Sequence, residues 1–379
     1  MSITTEKITK RTTAPFRYDI VGSFLRPQAI KKAREDFAKG EITQAELSVI
    51  EDEEIRKLVA KQKEIGLKSV TDGEFRRSYW HLDFFWGFDG IEHTIQEHGY
   101  FFHGEETRAD SARLSGKLRF TDHPFLAHYR FLKEAAGEDV LARQTIPSPA
   151  QLLAELVRGE NEKAVDEYYP NREELFEDIS KAYHDIILAF YNLGCRNLQL
   201  DDCTWGMLCD RDFWSLMAGE GYDVEELKEL YLRLNNEAIK DLPSDLTVTT
   251  HVCRGNYHST WASSGGYDSV AEPLLGRENV SAYYLEYDTD RAGDFTPLKE
   301  VSGEKLVVLG LVSSKTGALE DKKQIIARIN EAARYISLNR LALSPQCGFA
   351  STEEGNILTE DEQWKKLRFI KEIAEEIWG

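Results

Sequence analysis

Short apolar runs alternate with longer amphipathic stretches along the chain. Tyr18-Asp-Ile-Val-Gly22-Ser23 is the first such run and opens into a polar loop. Residues 43–65 set Leu47, Ile50, Ile55, Leu58, Val59 and Ile65 at roughly helical spacing among charges. That spacing predicts a helix capped by Thr43 and ended by Gly66. Lys68-Ser-Val-Thr predicts a second strand with Asp72, Gly73 and Glu74 at its C-terminal end. A third strand is predicted over Val140 to Gln144. A helix follows over Glu173 to Tyr191, with Leu175, Ile179, Ala182, Ile186 and Phe190 on one stripe. A fourth strand, from Asn197, ends at Asp201-Asp202. Leu246 to Thr250, Asn279 to Glu286, Lys305 to Val312 and Arg340 to Ser344 repeat the format. Each is expected to lead into a helical segment, the last being Glu360 to Trp378.

About eight strand-then-helix units, with polar residues just past the strand ends, predict an α/β chain folded as a (β/α)8 TIM barrel. Residues 1–379 are then expected to form a single domain. The main alternative is a doubly wound open sheet; no Gly-rich phosphate fingerprint follows the first strand, which counts against a dinucleotide fold. From about residue 75 to 120 the pattern breaks. Trp80-His81-Leu-Asp-Phe84-Phe85-Trp86-Gly-Phe88 and Tyr100-Phe101-Phe102-His103 predict an inserted loop or hairpin after the second strand, packed over the barrel mouth. Aromatic clusters of this kind serve more often as local core than as a lid over substrate.

Composition narrows the function. The chain of 379 residues is 41% hydrophobic and 30% charged, which is globular. Its formal net charge of −19 argues against a nucleic-acid or anionic-membrane surface and favours a soluble enzyme of small molecules. No run approaches a membrane span, and Met1-Ser-Ile-Thr-Thr-Glu-Lys lacks the apolar core of a signal peptide, so the cytoplasm is expected. The five cysteines are odd in number and irregularly spaced, which favours free thiols or metal ligands over a disulfide framework.

The chemistry collects at the predicted strand ends. His251-Val-Cys253 follows the fifth strand, and period-two alternation puts both side chains on one side. An imidazole and a thiol there could be two ligands of a transition metal, most simply zinc. Glu74 follows the second strand, Asp201 the fourth, and Cys347 the eighth; Glu286 lies on the sixth, with Asp288 close by. Two cysteines, one histidine and one glutamate can close a tetrahedral zinc site. Hydrolytic zinc sites are usually rich in histidine and carboxylate, whereas thiolates leave the metal less electrophilic. Such a site suits a substrate thiol held as a nucleophilic thiolate, so the chemistry expected is S-alkylation. Cys195, Cys203 and Cys209 are expected to be structural, with Cys203 near the mouth. The Asp201-Asp202 pair could cap the next helix or recognise a substrate amine.

These residues, in this order, resemble the catalytic C-terminal barrel of cobalamin-independent methionine synthase over nearly the whole chain. The similarity rests on Val21-Gly-Ser23-Phe, Asp72-Gly-Glu74, Gln199-Leu-Asp201-Asp202, His251-x-Cys253, Glu286 and Cys347-Gly348. The resemblance implies zinc bound by His251, Cys253, Glu286 and Cys347. It also implies a homocysteine site at Ser23, Glu74 and Asp201, and methyl transfer from a methylated folate, or another carrier such as a corrinoid, giving methionine. The partners are then small molecules, without nucleic acid or membrane, and a homo-oligomer is compatible with this. Departures lie on the donor side. The family's Pro-Ala-Leu-Arg-Glu after the acid pair reads Cys203-Thr-Trp205-Gly-Met207 here, and its loop histidine after the seventh strand is absent. Lys315 in that loop is the substitute acid, if burial depresses its pKa. The Trp that stacks the pterin is missing near Ile146-Pro-Ser-Pro149. A zinc thiol alkyltransferase of the epoxyalkane–coenzyme M transferase type, or a non-catalytic barrel that binds a thiol metabolite, are the rival readings.

Overall fold

Six parallel strands carry the site at one end of a sheet. The computed structural model describes residues 7–219, 221 and 223–379; the leader reading of residues 1–6 lies outside the described residues. In chain order the strands are β1 (Ser69–Val70), β2 (Asp89–Ile95), β3 (Phe101–Phe102), β4 (Glu105–Glu106), β5 (Asp110–Arg119) and β6 (Leu141–Ala142). They continue with β7 (Gln144–Pro147), β8 (Asn197–Asp201), β9 (Thr247–Val252), β10 (Ala282–Glu286), β11 (Leu306–Val312) and β12 (Leu341–Pro345). The main sheet runs β12-β11-β10-β9-β8-β7, with parallel neighbours throughout. β6 precedes β7 by one residue, Arg143, and pairs in parallel with β1.

The first apolar run touches both ends of this set. Tyr18 forms a parallel bridge with Leu343 of β12, and the Phe24 N–H donates to Gly73 O, just past β1, at 3.1 Å. The run makes one bridge where a ladder was expected. The result is a mixed α/β fold of TIM-barrel-like organisation.

The long helices follow the sequence pattern. Gln44–Glu64 begins with a capping box in which Thr43 and Glu46 satisfy each other's backbone N–H, and Gly66 follows at φ +91°. Arg172–Asn192 buries Leu175, Ile179, Ala182, Ile186 and Phe190, the predicted stripe. Two expected helices are replaced. After β9 comes a π-helical turn, Ala271–Arg277, and after β10 come two short 3-10 turns, Asp290–Ala292 and Thr296–Glu300. Pro273 lies inside the first of these turns, where it removes a backbone donor, and Pro297 opens the last of them.

The insertion is a hairpin. β2 pairs antiparallel with β5, and β3 with β4 at the tip. Its aromatics divide between two roles. Phe84, Phe85 and Phe88 are buried in the core, while Tyr100, Phe101 and Phe102 line the cavity below. The His103 N–H, donating to Trp261 O at 2.7 Å, ties the tip to the loop after β9. Among the described residues no helix is long and apolar enough to cross a membrane.

Candidate active site

A cavity of about 910 Å³ opens at the C-terminal ends of the strands. Its wall contains Ser23, Glu74, Asp201, His251, Cys253 and Cys347, so six of the eight predicted site residues share one space. They come from five separate segments, each delivered by the same end of a strand or apolar run.

The metal-binding chemistry sits in a tight group. The ligand atoms of His251, Cys253 and Cys347 all lie within 4.8 Å of one another, and all three residues are buried. His251 is the penultimate residue of β9, where its Nδ1 bonds Asp201 Oδ1 at 3.0 Å and its Nε2 lies 3.2 Å from Gln346 O. Burial opposes a charge on this imidazole. The bond to Asp201 and the nearby Cys253 outweigh burial and raise the His251 pKa to about 9. Contacts with the neighbouring Cys203 and Cys347 sulfurs hold the Cys253 pKa well below the ordinary value. Cys347 rides on a tight turn. A Cβ on Gly348 would come within 1.9 Å of Ser23 Oγ, so only glycine lets this turn lie against the first run. A soft donor set of one nitrogen and two sulfurs, with the imidazole oriented by a carboxylate, fits zinc.

Glu286 lies on the neighbouring strand, fully buried at the end of β10, where Oε2 accepts the Arg254 N–H at 2.9 Å and Oε1 pairs with Arg291 at 2.8 Å. Ligating carboxylates are commonly hydrogen-bonded in this way, and Glu286 lies outside the group whose ligand atoms are all within 4.8 Å of one another. Lys315 lies on the loop after β11, where it was expected. Its ammonium is buried without a hydrogen-bond partner, its charge acts on Cys253 and Cys347, and it is not among the residues lining the cavity.

The carboxylates are held by the backbone. Glu74 has φ +60°, a left-handed conformation that is uncommon for a residue with a Cβ and is often found at functional positions. Asp72 Oδ1 accepts the Glu74 N–H at 2.9 Å and fixes the turn. Glu74 Oε1 accepts from Thr145 Oγ1 at 2.9 Å and lies 3.4 Å from Arg77, whereas Oε2 is buried with no partner. Burial raises the Glu74 pKa to about 7, with Asp201 adding to the effect and Arg77 and Arg26 opposing it. The acid pair splits its two predicted roles. Asp202 caps the helix Cys203–Met207 through the Thr204 N–H, while Asp201 faces the cavity and accepts from Gln199 and His251 on Oδ1.

Several wall residues escaped the strand-end rule because they sit on the insertion or on helices. His81 Nε2 bonds the Tyr100 hydroxyl at 2.9 Å, and that hydroxyl donates to Glu155 at 2.7 Å. Burial lowers the His81 pKa to about 3, so its ring stays neutral. Cys195 and Cys209 are buried in the core as expected, and Cys203, expected near the mouth, lines the cavity with its Sγ 3.8 Å from Cys253 Sγ.

The chain has close and distant likenesses. Residues 16–98 and 171–376 match the family described as cobalamin-independent synthase, catalytic domain. The uncharacterized protein YxjH of Bacillus subtilis (strain 168) is 50% identical over 374 residues, covering 98% of this chain and 97% of the relative. Methionine synthase of Saccharolobus islandicus (strain Y.G.57.14 / Yellowstone #1) is 20% identical over 334 residues, with 87% and 86% covered. The crystal structure of a candidate vitamin-B12-independent methionine synthase from Listeria monocytogenes superposes with a TM-score of 0.78 at 46% identity, covering 97% and 100% of the two chains. A B12-independent methionine synthase from Shewanella sp. W3-18-1, in complex with selenomethionine, shares the fold at a TM-score of 0.72 and 17% identity, covering 95% and 97%. The chain thus belongs to the cobalamin-independent methionine synthase family and is a methyltransferase of that type.

Proposed function

We propose that the protein transfers a methyl group to the thiol of homocysteine, giving methionine, with zinc held by His251, Cys253 and Cys347. The observation that carries this reading is the buried His251–Cys253–Cys347 group opening onto the same cavity as Glu74 and Asp201. Soft donors select a thiol, and two carboxylates select an amine. Homocysteine has both. Selenomethionine, seen in the Shewanella enzyme, is the selenium analogue of the product. In the same reading the 18–24 run closes an eight-stranded barrel, and the chain works as one cytoplasmic domain.

The residues divide the work. Glu74 Oε2, buried and unpartnered, accepts an N–H of the substrate ammonium, and Asp201 Oδ2 accepts another. The backbone beside Ser23 receives the substrate carboxylate. Asp201 Oδ1 meanwhile fixes the ring of His251, so one aspartate orients both substrate and ligand. Zinc bound there would supply the charge that favours the thiolate form of the substrate. The aromatic wall from the insertion, with Tyr100 and Phe102, excludes water from the sulfur as it attacks the methyl carbon in line. The new S–C bond forms as the bond from methyl to its carrier breaks. A methylated folate or a methylcorrinoid is the carrier class, and with a folate the departing nitrogen takes up a proton. Lys315, buried without a hydrogen-bond partner, acts as a nearby charge on the cysteines.

Product analysis tests this directly. Zinc-loaded protein given homocysteine and a panel of monoglutamyl folates, polyglutamyl folates and methylcorrinoids is expected to form methionine with at least one donor. Stoichiometric zinc with no turnover of any donor would defeat the catalytic assignment. A second expectation concerns pH. Glu74 binds an ammonium only when ionised, and its pKa is about 7, so the KM for homocysteine should rise as pH falls below about 7. Glu74→Gln should raise KM roughly tenfold to a hundredfold, the worth of a charge-assisted hydrogen bond, and flatten that pH dependence. An unchanged, still pH-dependent KM in the variant would remove Glu74 from the amine site.

A further inference from the structure

Three acceptors on residues of the cavity wall are buried and unpartnered among the described residues: Glu74 Oε2, the Gln151 amide oxygen and His81 Nδ1. The homocysteine site uses the first and leaves the other two without a role. His81 is 3% exposed and belongs to the aromatic insertion, with its ring centroid 4.5 Å from that of Trp80 and 5.1 Å from that of Tyr100. A buried acceptor left unsatisfied is costly, so its place on a cavity wall points to a ligand that satisfies it.

The tautomer of His81 is set from behind. Glu155 is 2% exposed, and its carboxylate accepts from Arg158 at 3.0 and 3.1 Å, from the Ala112 N–H at 3.2 Å and from the Ser111 hydroxyl. A carboxylate paired in this way offers only acceptors, so the Tyr100 hydroxyl donates to it at 2.7 Å. The Tyr100 oxygen then accepts from His81 Nε2 at 2.9 Å, which puts the ring hydrogen on Nε2 and a bare lone pair on Nδ1. Burial, with the Arg158 charge adding to it, lowers the His81 pKa to about 3, so Nδ1 stays an acceptor at neutral pH.

The surroundings narrow what Nδ1 receives. Arg158 is the only Lys or Arg on the wall among the described residues, and Glu155 engages it, so no free cation remains there for a phosphate or carboxylate. The Arg158 charge is also felt at His81, which disfavours a cationic ligand beside the ring. Trp80, Tyr100 and Phe102 supply flat apolar faces. We propose that His81 is a specificity-determining residue of the methyl-carrier subsite, its Nδ1 accepting an N–H of a flat, neutral heterocycle packed against Trp80 and Tyr100. The reduced pterin of a folate has such an edge, whereas the ring nitrogens of a corrinoid are committed to cobalt. Gln151, one helical turn before Glu155, offers a second polar group to the same ligand. Family membership does not supply this device: Tyr100, Gln151, Glu155 and Arg158 fall between the two matched stretches, 16–98 and 171–376.

This inference rests on the methyl-transfer reading above, and steady-state kinetics with both substrates varied separates the two. The full chain loaded with zinc is expected to methylate homocysteine from monoglutamyl 5-methyltetrahydrofolate. His81→Phe keeps a ring against Trp80 and removes the acceptor. Its KM for that folate should rise roughly tenfold to a hundredfold, the cost of burying an unsatisfied N–H, with the KM for homocysteine and the zinc content unchanged. His81→Asn, whose amide oxygen takes the place of Nδ1, should recover most of the loss. Tyr100→Phe, which leaves the ring in place and frees its tautomer, should raise the folate KM about threefold. An unchanged folate KM in His81→Phe, an equal rise in the KM of both substrates, no recovery in His81→Asn, or a wild type that turns over methylcorrinoids and no folate would overturn the role of His81 and leave methyl transfer standing. A wild type that forms no methionine from any donor would overturn both.

Discussion

Cys347→Ser is expected to strip the protein of zinc and, with it, of thiol methylation. The serine hydroxyl nearly matches the thiol in size, so the turn after β12 should keep its shape, with Gly348 still against Ser23. What changes is the donor. A serine hydroxyl does not ionise near neutral pH and is a hard oxygen, whereas the site is built from soft donors. Cys347 is one of only three residues in the compact group, and its sulfur faces both His251 and Cys253 within 4.8 Å. Loss of a residue that merely orients a ligand typically costs 10–100-fold in metal affinity, so loss of a ligand should cost more than about 100-fold. Zinc per chain after dialysis against a chelator measures this, with circular dichroism confirming the fold. Stoichiometric zinc with unchanged chelator resistance in Cys347→Ser would remove that cysteine from the ligand set.

The success and the limits of reading this site from sequence have one physical cause. In parallel α/β folds every strand delivers its C-terminal residue to the same end, so collecting polar residues after apolar runs recovers Ser23, Glu74, Asp201, His251, Cys253 and Cys347 without knowing any angle. Glu286 also ends a strand, yet the rule does not say which way a buried carboxylate turns. That depends on Arg291, five residues on, and on the Arg254 N–H from the neighbouring strand end. The approach of Cys203 to Cys253 is illegible in the sequence for a related reason. Nothing in Asp201-Asp202-Cys203 announces that Gly206 will let the helix settle on Cys253 O, since that contact is between elements distant in sequence. The segments after β9 and β10 form short turns where the repeating format predicts helices, and the format alone does not register Pro273 inside Ala271–Arg277. The insertion was legible as an insertion, and its division into core and cavity wall was not, because Phe84 and Phe102 look alike until one is packed.

Arg143→Met is expected to destabilise the fold by about 3–5 kcal/mol, the cost of breaking a fully buried ion pair. Arg143 is the single residue between β6 and β7, where the pairing passes from β1 to β8. Its guanidinium reaches Asp19 Oδ1 at 2.6 Å, the Tyr284 hydroxyl at 2.9 Å and the Ile20 carbonyl, and the Asp19 and Arg143 side chains are 1% and 0% exposed. Tyr284 completes a ring by donating to Asp19 Oδ2 at 2.9 Å. Asp19 belongs to the first apolar run, whose only ladder contact is the bridge from Tyr18 to Leu343 among the described residues, so this polar ring carries much of what holds the run in place. Removing the arginine leaves a buried carboxylate without its contacting cation, with Arg11 remaining only as a more distant charge. Removing both charges should behave otherwise: Arg143→Met with Asp19→Leu should recover a large part of the loss, because apolar replacements of similar volume avoid the desolvation of either ion. Denaturant midpoints for the single and double variants decide it. A loss below about 1 kcal/mol in the single variant would show that water reaches Asp19; a double variant less stable than the single one would show that Asp19 is held by its backbone contacts and not by the pair. Ser23 lies four residues beyond Asp19, so a slackened run should also loosen the substrate carboxylate. The single variant is therefore expected to raise the KM for homocysteine even at temperatures where it remains folded.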